Sequence, residues 1–238
     1  MSEVGRLMVE FARLAQALDA ASDEDARVRV AVGGSVLVVS GCDHAGFTVN
    51  EGGTLSTEVG SDDVVRRANE LQGELSEGPC LDVTRDQGAL VSNDLTQEDR
   101  WPRWASRVHA ELGVGSMMSL PVHAGSRSHG ALSLYADERH RFAGEDVAVA
   151  QALVAQLAVN IDAGRQIDQL RVAVGSRTII GQAQGLLMGQ LDIDADQAFD
   201  YLRRISSTSN RKLAVVAMEI VRTRQLPSRP RDMASVAS

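Results

Sequence analysis

Cysteine is scarce in this chain: only Cys42 and Cys80 occur among 238 residues. The two cysteines do not form a CxxC pair, so the sequence suggests neither a disulfide framework nor a zinc site. None of the five histidines has the spacing of a metal ligand set either. We therefore expect no bound metal and a reducing compartment, the cytoplasm.

Long apolar runs are also lacking. No run of 18 apolar residues occurs, although a membrane-spanning helix needs about that length. The first residues, MSEVGRLMVEFARLAQALDAA, contain acids and an amphipathic period instead of the basic start and apolar stretch of a signal peptide. We therefore expect neither export nor a membrane partner.

Signatures of the common enzyme classes are missing as well. The sequence contains no P-loop, no GxSxG, no HExxH and no phosphoacceptor pattern. Its acidic residues are scattered in the way that is typical of a solvated surface. The sequence predicts that the protein is not an enzyme, and it identifies no cofactor.

Charge is present in quantity but is unevenly distributed. Residues 1–164 contain 13 arginines and 25 acidic residues, a net charge of -12, whereas residues 165–231 contain 11 basic and 6 acidic residues, a net charge of +5. Asp232 brings the total to the overall -8. A basic segment on an acidic body is expected of an appendage that binds a polyanion. The alternative is a solvated basic face without a partner.

The first 140 residues change from a helical to a strand-like pattern. Two helices are predicted before Gly41, the second capped by Ser22, and a later helix is capped by Ser61. Alternating residues predict a hairpin around 52–53, and Pro79 marks the start of a short helix. Further strands are predicted in ALVSNDL, GSMMSLPVHAG and HGALSLYAD, with a helix in RWPRWASRVHAELG. This pattern predicts an α+β fold, with an antiparallel sheet of about five strands flanked by helices.

A long helix is predicted from Gly144 to about Gln190. One set of its apolar residues recurs every 3.5 positions on average, which is typical of a coiled-coil seam and predicts a homodimer. The predicted seam and dimer residues are Leu153, Leu157, Ile161, Ile167, Leu170 and Val174. The alternative is that the seam packs on the chain's own sheet, above all in its first half.

The end of the long helix carries the stretch IIGQAQGLLM, which contains small residues, two glycines and an alanine, among large aliphatic ones. Helical spacing predicts that Ala183 and Leu187 face the next two helices. Gly181 and Gly185, four residues apart, predict a close approach of another backbone.

Two more helices are predicted after this stretch. Asp194 is expected to cap ADQAFDYLRRISSTS, and Asn210 or Ser209 to cap RKLAVVAMEIVRTRQL. Pro227 and Pro230 end the predicted structure.

These C-terminal blocks, SRTIIGQAQGLLM, DADQAFDYLRRIS and NRKLAVVAMEIV, resemble an ANTAR domain, the three-helix RNA-binding module of bacterial antitermination regulators. Upstream, AGFTV, LQGELSEGPCLDV, NDLTQEDRWPRWA, GVGSMMSLPV and GALSLYADERHRF resemble the GAF domain that precedes ANTAR in many actinobacterial regulators. The resemblance divides the chain into a GAF sensor domain with its leading helices (1–150), a helical linker (151–175), an ANTAR domain (176–226) and a disordered tail (227–238). It implies a dimer that binds tandem hairpins of nascent leader RNA and prevents terminator formation.

The predicted RNA site combines cationic, hydroxyl and amide groups, because unpaired loops offer base edges while phosphates attract cations. The predicted RNA-binding residues are Gln184, Arg203, Arg204, Ser206, Asn210, Arg211 and Lys212. A plain helix cap is the alternative for Asn210, and a solvated helix face for the two neighbouring arginines. Phe199 is expected in the core, and the low aromatic content of 3% argues against an RRM-like stacking platform.

The GAF resemblance also implies a pocket for a small-molecule ligand, whose identity the sequence does not give. Cys80 is a candidate redox switch, because it lies at a helix start and helix N-termini lower the pKa of a thiol. The alternative is a buried structural cysteine. As an alternative function, the ANTAR unit of a GAF sensor would serve only to dimerise or to bind another protein.

Overall fold

The computed structural model describes residues 2–51, 54–86, 88–124 and 127–225. The chain divides into two compact units, unit 1 (Met1–Arg165) and unit 2 (Gln166–Ser238). The boundary between them lies inside the predicted helical linker, residues 151–175. The glycine turn predicted at 52–53 and the tail predicted to be disordered at 227–238 lie outside the described residues.

The helices and strands follow one another in the order that the sequence pattern predicts. In unit 1 they are α1 (Glu3–Ala20), α2 (Glu24–Val38), β1 (His44–Glu51), β2 (Thr54–Gly60), α3 (Asp63–Leu75), α4 (Pro79–Asp86), β3 (Leu90–Ser92), a 3-10 turn (Leu95–Gln97), α5 (Pro102–Leu112), β4 (Ser116–Ala124) and β5 (Arg127–Ala136). Helix α6 (Gly144–Leu191) begins in unit 1 and ends in unit 2, where α7 (Ala195–Ser209) and α8 (Leu213–Thr223) follow.

The five strands form one sheet in the order β2-β1-β5-β4-β3, and every pairing is antiparallel. Strands β1 and β2 form a hairpin, and the later strand β5 pairs between β1 and β4. The α+β class, the antiparallel sheet and the long helix that leads to a three-helix unit are thus confirmed.

Both faces of the sheet are covered, since successive side chains of a strand point to opposite sides. On β5, Leu132 and Leu134 join a core cluster with residues of α1, α2 and α6, such as Leu18. The adjacent Tyr135 joins a second cluster with residues of α3 and α5, such as Trp104. Unit 1 is therefore a three-layer arrangement with helices on both sides of the sheet.

The first half of α6 belongs to the first of these clusters. Leu153, Leu157 and Ile161 are each 0% exposed and pack in the core of unit 1. The prediction that these three residues form a dimer seam is therefore wrong, and the alternative, packing on the chain's own sheet, is what the structure shows. The physical reason is that a sheet offers a broad apolar face, which buries these side chains completely.

Helix caps show small departures from the predicted positions. The N-caps of α2 and α3 are Asp23 and Asp62, whose carboxylates accept backbone hydrogen bonds, so the predicted caps Ser22 and Ser61 are each wrong by one residue. Asp194 caps α7 as predicted and forms a capping box with Gln197.

The core of unit 2 is formed by α6, α7 and α8. Its buried residues are Ala183, Leu187, Ala198, Leu202, Val216, Ala217 and Ile220. Gly181 and Gly185 are exposed, and a Cβ atom at either would meet nothing within 4 Å in the described part of the chain. The predicted backbone approach is wrong here, because residues two positions away from the inward-facing Ala183 point to the opposite side of the helix.

By length and composition alone, α6 could cross a membrane. The core helix of a soluble protein passes the same test, and the first part of α6 is such a helix, since Leu153, Leu157 and Ile161 pack on the sheet. Within the described residues, the structure gives no further indication of a membrane span.

Candidate nucleic-acid interface and buried polar cluster

The turn between α7 and α8 carries three of the seven predicted RNA-binding residues, Asn210, Arg211 and Lys212, and is held by hydrogen bonds. Asn210 adopts a left-handed conformation with φ of 51° and is the C-cap of α7. The Ser206 hydroxyl donates to the Arg211 carbonyl oxygen at 2.5 Å, and the Arg211 N–H donates to the Ser206 carbonyl oxygen at 3.1 Å. Asn210 therefore does not cap α8 as predicted, and neither does Ser209. Asparagine is one of the few residues that adopt this conformation readily.

The four cations of the predicted site differ in their surroundings. Arg203 lies 3.8 Å from Asp200, a loose contact between two largely exposed side chains. Arg211 forms a tighter ion pair with Glu219, at 2.6 Å. Lys212 is exposed and forms no ion pair with any residue that the structure describes. Among the described residues, Arg211 is thus the one cation of these four that a close carboxylate holds.

Arg204 lies on a different side of α7 from Arg203. Neighbouring residues of a helix are rotated by about 100°, so the two guanidinium groups do not share one face. The Arg204 guanidinium carbon lies 5.5 Å from the centroid of the Tyr201 ring, within the range of a cation–π contact. The structure brings Arg203, Ser206 and Asn210 to one side of α7 and leaves Arg204 outside that group.

Lys212 is the N-cap of α8, and it makes no side-chain cap hydrogen bond. The first N–H groups of a helix have no partner within the helix and carry partial positive charge. A lysine beside such an end adds a full positive charge. The geometry suits a phosphate oxygen at this end of α8.

Gln184 lies apart from these residues, near the start of α7. Its Nε2 donates to the Ala195 carbonyl oxygen at 3.1 Å, which ties α6 to α7. This contact gives Gln184 a structural role that its position in the sequence did not indicate. Whether Gln184 also contacts RNA stays a prediction.

Phe199 lies outside the core, contrary to the prediction. It was expected in the core, but it is 37% exposed and lies outside the core cluster of unit 2. The spacing contained the signal: Phe199 is four residues before Arg203, so both lie on the same helix face.

Unit 1 contains a cluster of buried polar side chains between the sheet and helices α3 and α4. The Cys80 Sγ lies 3.4 Å from the Ser133 Oγ, which lies 3.0 Å from the Ser119 Oγ. The Gln72 Oε1 accepts from the Cys80 N–H at 2.8 Å, and the Gln72 Nε2 donates to the Asn69 Oδ1 at 2.9 Å. These groups satisfy one another, as buried polar groups in a packed core do.

The environment of Cys80 argues against a redox switch. Cys80 is fully buried, and burial raises the pKa of its thiol, although hydrogen bonds with the Ser133 and Gln72 side chains lower it in part. A raised pKa leaves little thiolate, which is the reactive form. The buried surroundings of Cys80 therefore contradict the prediction that the helix start activates this thiol. They agree with the alternative, a buried structural cysteine.

The other cysteine is also a poor ligand or nucleophile. Burial raises the pKa of the Cys42 thiol to about 12, and the Cys42 Sγ donates to the His44 carbonyl oxygen at 3.4 Å. His44 instead contacts Asp62 and Asp137 through its two ring nitrogens. Among the described residues, no group of three or more metal-binding side chains is found.

The second half of the predicted seam remains exposed. Ile167, Leu170 and Val174 of unit 2 are 48%, 65% and 63% exposed. Large apolar side chains at three neighbouring turns of one helix could be covered by a second copy of the chain. Their role in a dimer stays a prediction.

Matches to known protein families divide the chain at the same place as the boundary between unit 1 and unit 2. The sequence matches the family model of the GAF domain over residues 14–162 and that of the ANTAR domain over residues 168–221. No curated protein shows significant sequence similarity to the chain.

Solved structures similar to this chain share its fold at low sequence identity. The GAF domain of a phosphoenolpyruvate-protein phosphotransferase from Coxiella burnetii is 18% identical, with a TM-score of 0.55, and the match covers 71% of this chain and 99% of that one. The free methionine-R-sulfoxide reductase of Neisseria meningitidis, solved with its substrate, is 13% identical, with a TM-score of 0.54 and coverage of 70% and 95%. At such identities the likeness shows the fold alone.

Proposed function

Because the chain belongs to the GAF domain family and carries an ANTAR domain after it, we propose that it regulates transcription antitermination by binding hairpin loops of nascent leader RNA. ANTAR is an RNA-binding antitermination module, and GAF is a sensor domain. Neither is a catalytic family, so the proposed role is regulation rather than catalysis, in the cytoplasm. The observation that carries the proposal is the ANTAR match over residues 168–221, which contains the exposed cations Arg203, Arg204 and Lys212.

RNA loops suit this surface for electrostatic reasons. Arg203 is exposed and only loosely held by Asp200, so its guanidinium is free to contact a phosphate bidentately. Lys212 lies at the uncapped start of α8, where the helix dipole also attracts an anion. The net charge of +5 on residues 165–231 reduces repulsion of RNA relative to the acidic unit 1.

A dimer is part of this proposal. Two hairpins on one transcript would each occupy one ANTAR domain, and the connection between them raises the effective concentration at the second site. The exposed Ile167, Leu170 and Val174 are the proposed contacts between the two copies. A small molecule bound by the GAF domain would control RNA binding by favouring one arrangement of the dimer.

A second function is favoured by one observation on α8. Val215 and Met218 are 44% and 57% exposed. Exposed apolar side chains on a small domain suit a protein partner, which corresponds to a GAF sensor whose ANTAR unit binds another protein.

The test is RNA selection by the full chain. The wild-type protein is incubated with a pool of synthetic RNAs that carry two stem-loops with randomised loops, and binding of the selected RNA is measured over a salt series. We expect salt-dependent binding. Arg203→Ala and Lys212→Ala should each weaken it by about 1 kcal/mol, or roughly fivefold in Kd, and lower the slope of log K against log salt by about 1.

The matched control is Arg171→Ala, since Arg171 is an exposed arginine of unit 2 whose guanidinium contacts Asp168. This variant has the same change in charge and should bind with nearly wild-type affinity. Selection of no RNA by the wild-type protein would contradict the proposal and favour the protein-binding alternative.

A further inference from the structure

The two aromatic residues of unit 2 have different surroundings. Tyr201 packs against the core, and the Arg204 guanidinium lies over its ring. Phe199 is 37% exposed and makes no ring or cation contact with any residue in the described range 127–225. A single exposed apolar residue is common on protein surfaces and does not indicate a function by itself. A role for the Phe199 ring must therefore be inferred from the side chains around it.

Those neighbours are polar groups suited to RNA. Arg203 and Ser206 follow Phe199 by four and seven residues, so they lie along the same face of α7. Asn210, the C-cap of α7, ends this row. An exposed phenyl ring is thus followed by a guanidinium, a hydroxyl and an amide, and only the ring has no polar group to offer.

The acids near Phe199 indicate which part of an RNA it would meet. Asp196 and Asp200 are three residues before and one residue after it, and both are exposed. Two carboxylates repel phosphate, but they do not repel the face of an uncharged base. The phosphate is better placed one turn further along, at Arg203.

We propose that Phe199 stacks on an unpaired base of the RNA loop, while Arg203 contacts the phosphate beside that base. This inference rests on the proposed RNA-binding function and adds a residue to it. Every base has a π-face, so the stacking contact contributes affinity without selecting a particular base. It also gives the ANTAR unit a way to distinguish loops from stems, since a paired base does not expose its face.

The experiment uses the full chain and the stem-loop RNA that the wild-type protein selects from the randomised pool. Each loop position is replaced in turn by 2-aminopurine, whose fluorescence responds to stacking. We expect the wild-type protein to change the fluorescence at one loop position. Phe199→Leu keeps an apolar side chain without a ring, and it should abolish this change and raise the Kd by about 5- to 100-fold.

Controls separate stacking from charge and from folding. Phe199→Tyr and Phe199→Trp keep a ring and should bind within a fewfold of wild type. Phe199→Leu should leave the salt slope unchanged, because stacking releases no counterions, whereas Arg203→Ala should lower it. Met218→Ala removes another exposed apolar side chain of unit 2 and should not alter the Kd.

Three results would overturn the inference, and they have different consequences for the proposed RNA-binding function. If Phe199→Leu binds like wild type while Arg203→Ala binds weakly, Phe199 has no role and the RNA-binding function stands. If Phe199→Leu dissociates a dimer in the absence of RNA, the ring is a protein contact. If the wild-type protein selects no RNA, the proposed function and this inference fail together.

Discussion

The His44 imidazole lies between two carboxylates: its Nδ1 is 2.7 Å from the Asp62 Oδ2 and its Nε2 is 3.2 Å from the Asp137 Oδ1. Asp62 is also the N-cap of α3, and Asp137 follows β5 directly. One side chain at the start of β1 therefore joins the beginning of α3 to the end of β5.

This arrangement predicts that unit 1 loses stability as the pH rises. Burial lowers the pKa of His44, but the hydrogen bonds and charges of Asp62 and Asp137 outweigh it and raise the pKa above its ordinary value of 6.5. A histidine whose pKa is raised by folding stabilises the folded state fully at pH values below its pKa in the unfolded chain. This stabilisation is lost as the pH rises through its pKa in the folded protein. Urea unfolding, followed by the fluorescence of the buried Trp101 and Trp104, should show this loss above about pH 6.5.

The matched variant is His44→Gln, which keeps a hydrogen-bonding side chain but does not titrate. It should cost about 1 kcal/mol below pH 6, since Asp137 is largely exposed, and remove the pH dependence in this window. An unchanged pH dependence in His44→Gln would assign it to another group.

A second prediction concerns the ion pair that holds the end of the unit 1 part of α6. Arg165 donates two hydrogen bonds to Glu24, at 2.7 and 2.5 Å, and lies 3.1 Å from the His129 Nδ1. Both partners of the ion pair are about one-third exposed. Arg165→Ala and Glu24→Gln should each destabilise unit 1 by about 1–2 kcal/mol in urea unfolding. A double mutant whose loss equals the sum of the two would show that the pair is not coupled.

Gly130 is predicted to be intolerant of a side chain. Its φ is +141°, and a Cβ atom there would lie 2.5 Å from the Thr48 carbonyl oxygen on the neighbouring strand. Gly130→Ala should therefore destabilise unit 1 by about 1–3 kcal/mol. Gly73→Ala is the control, since a Cβ atom on this α3 glycine meets nothing within 4 Å and alanine favours the helix by about 0.8–1 kcal/mol. Thermal unfolding that moves both variants in the same direction would contradict this.

The two thiols are expected to be inert in the folded protein. Cys42 and Cys80 are buried, and burial raises the pKa of each. Maleimide labelling followed by mass spectrometry should modify neither cysteine at pH 7 until a denaturant is added. Rapid labelling of Cys80 in the native protein would restore it as a candidate redox switch.

The exposed half of the α6 seam yields a prediction about assembly. Leu170→Glu places a charge among the proposed dimer contacts, so the variant should elute as a monomer at concentrations where the wild-type chain is a dimer. Leu37→Glu is the control, because Leu37 is exposed on α2 in unit 1. Size-exclusion chromatography with light scattering measures the molar mass of each variant. The same molar mass for wild type and Leu170→Glu would show that Leu170 does not contribute to a dimer interface.

The sequence determined the features that depend on local pattern. Strand alternation and glycine placement indicated the antiparallel sheet, and Asp194 indicated the start of α7, where the structure adds a capping box with Gln197. The order of the motif blocks indicated the two families before any contact was known. These signals are local because each reports only which face of its own helix or strand is apolar, or where the chain must turn.

Tertiary structure alone decided which surface covers each apolar face. The 3.5-residue spacing of Leu153, Leu157 and Ile161 fits a partner helix as well as it fits a sheet, and only packing showed that the sheet covers them. Spacing does place Phe199 on the same face of α7 as Arg203, but it does not show that α6 and α8 bury the neighbouring Ala198 and Leu202. Whether an apolar face is buried depends on the surface opposite it, and that surface is formed by residues far away in the sequence.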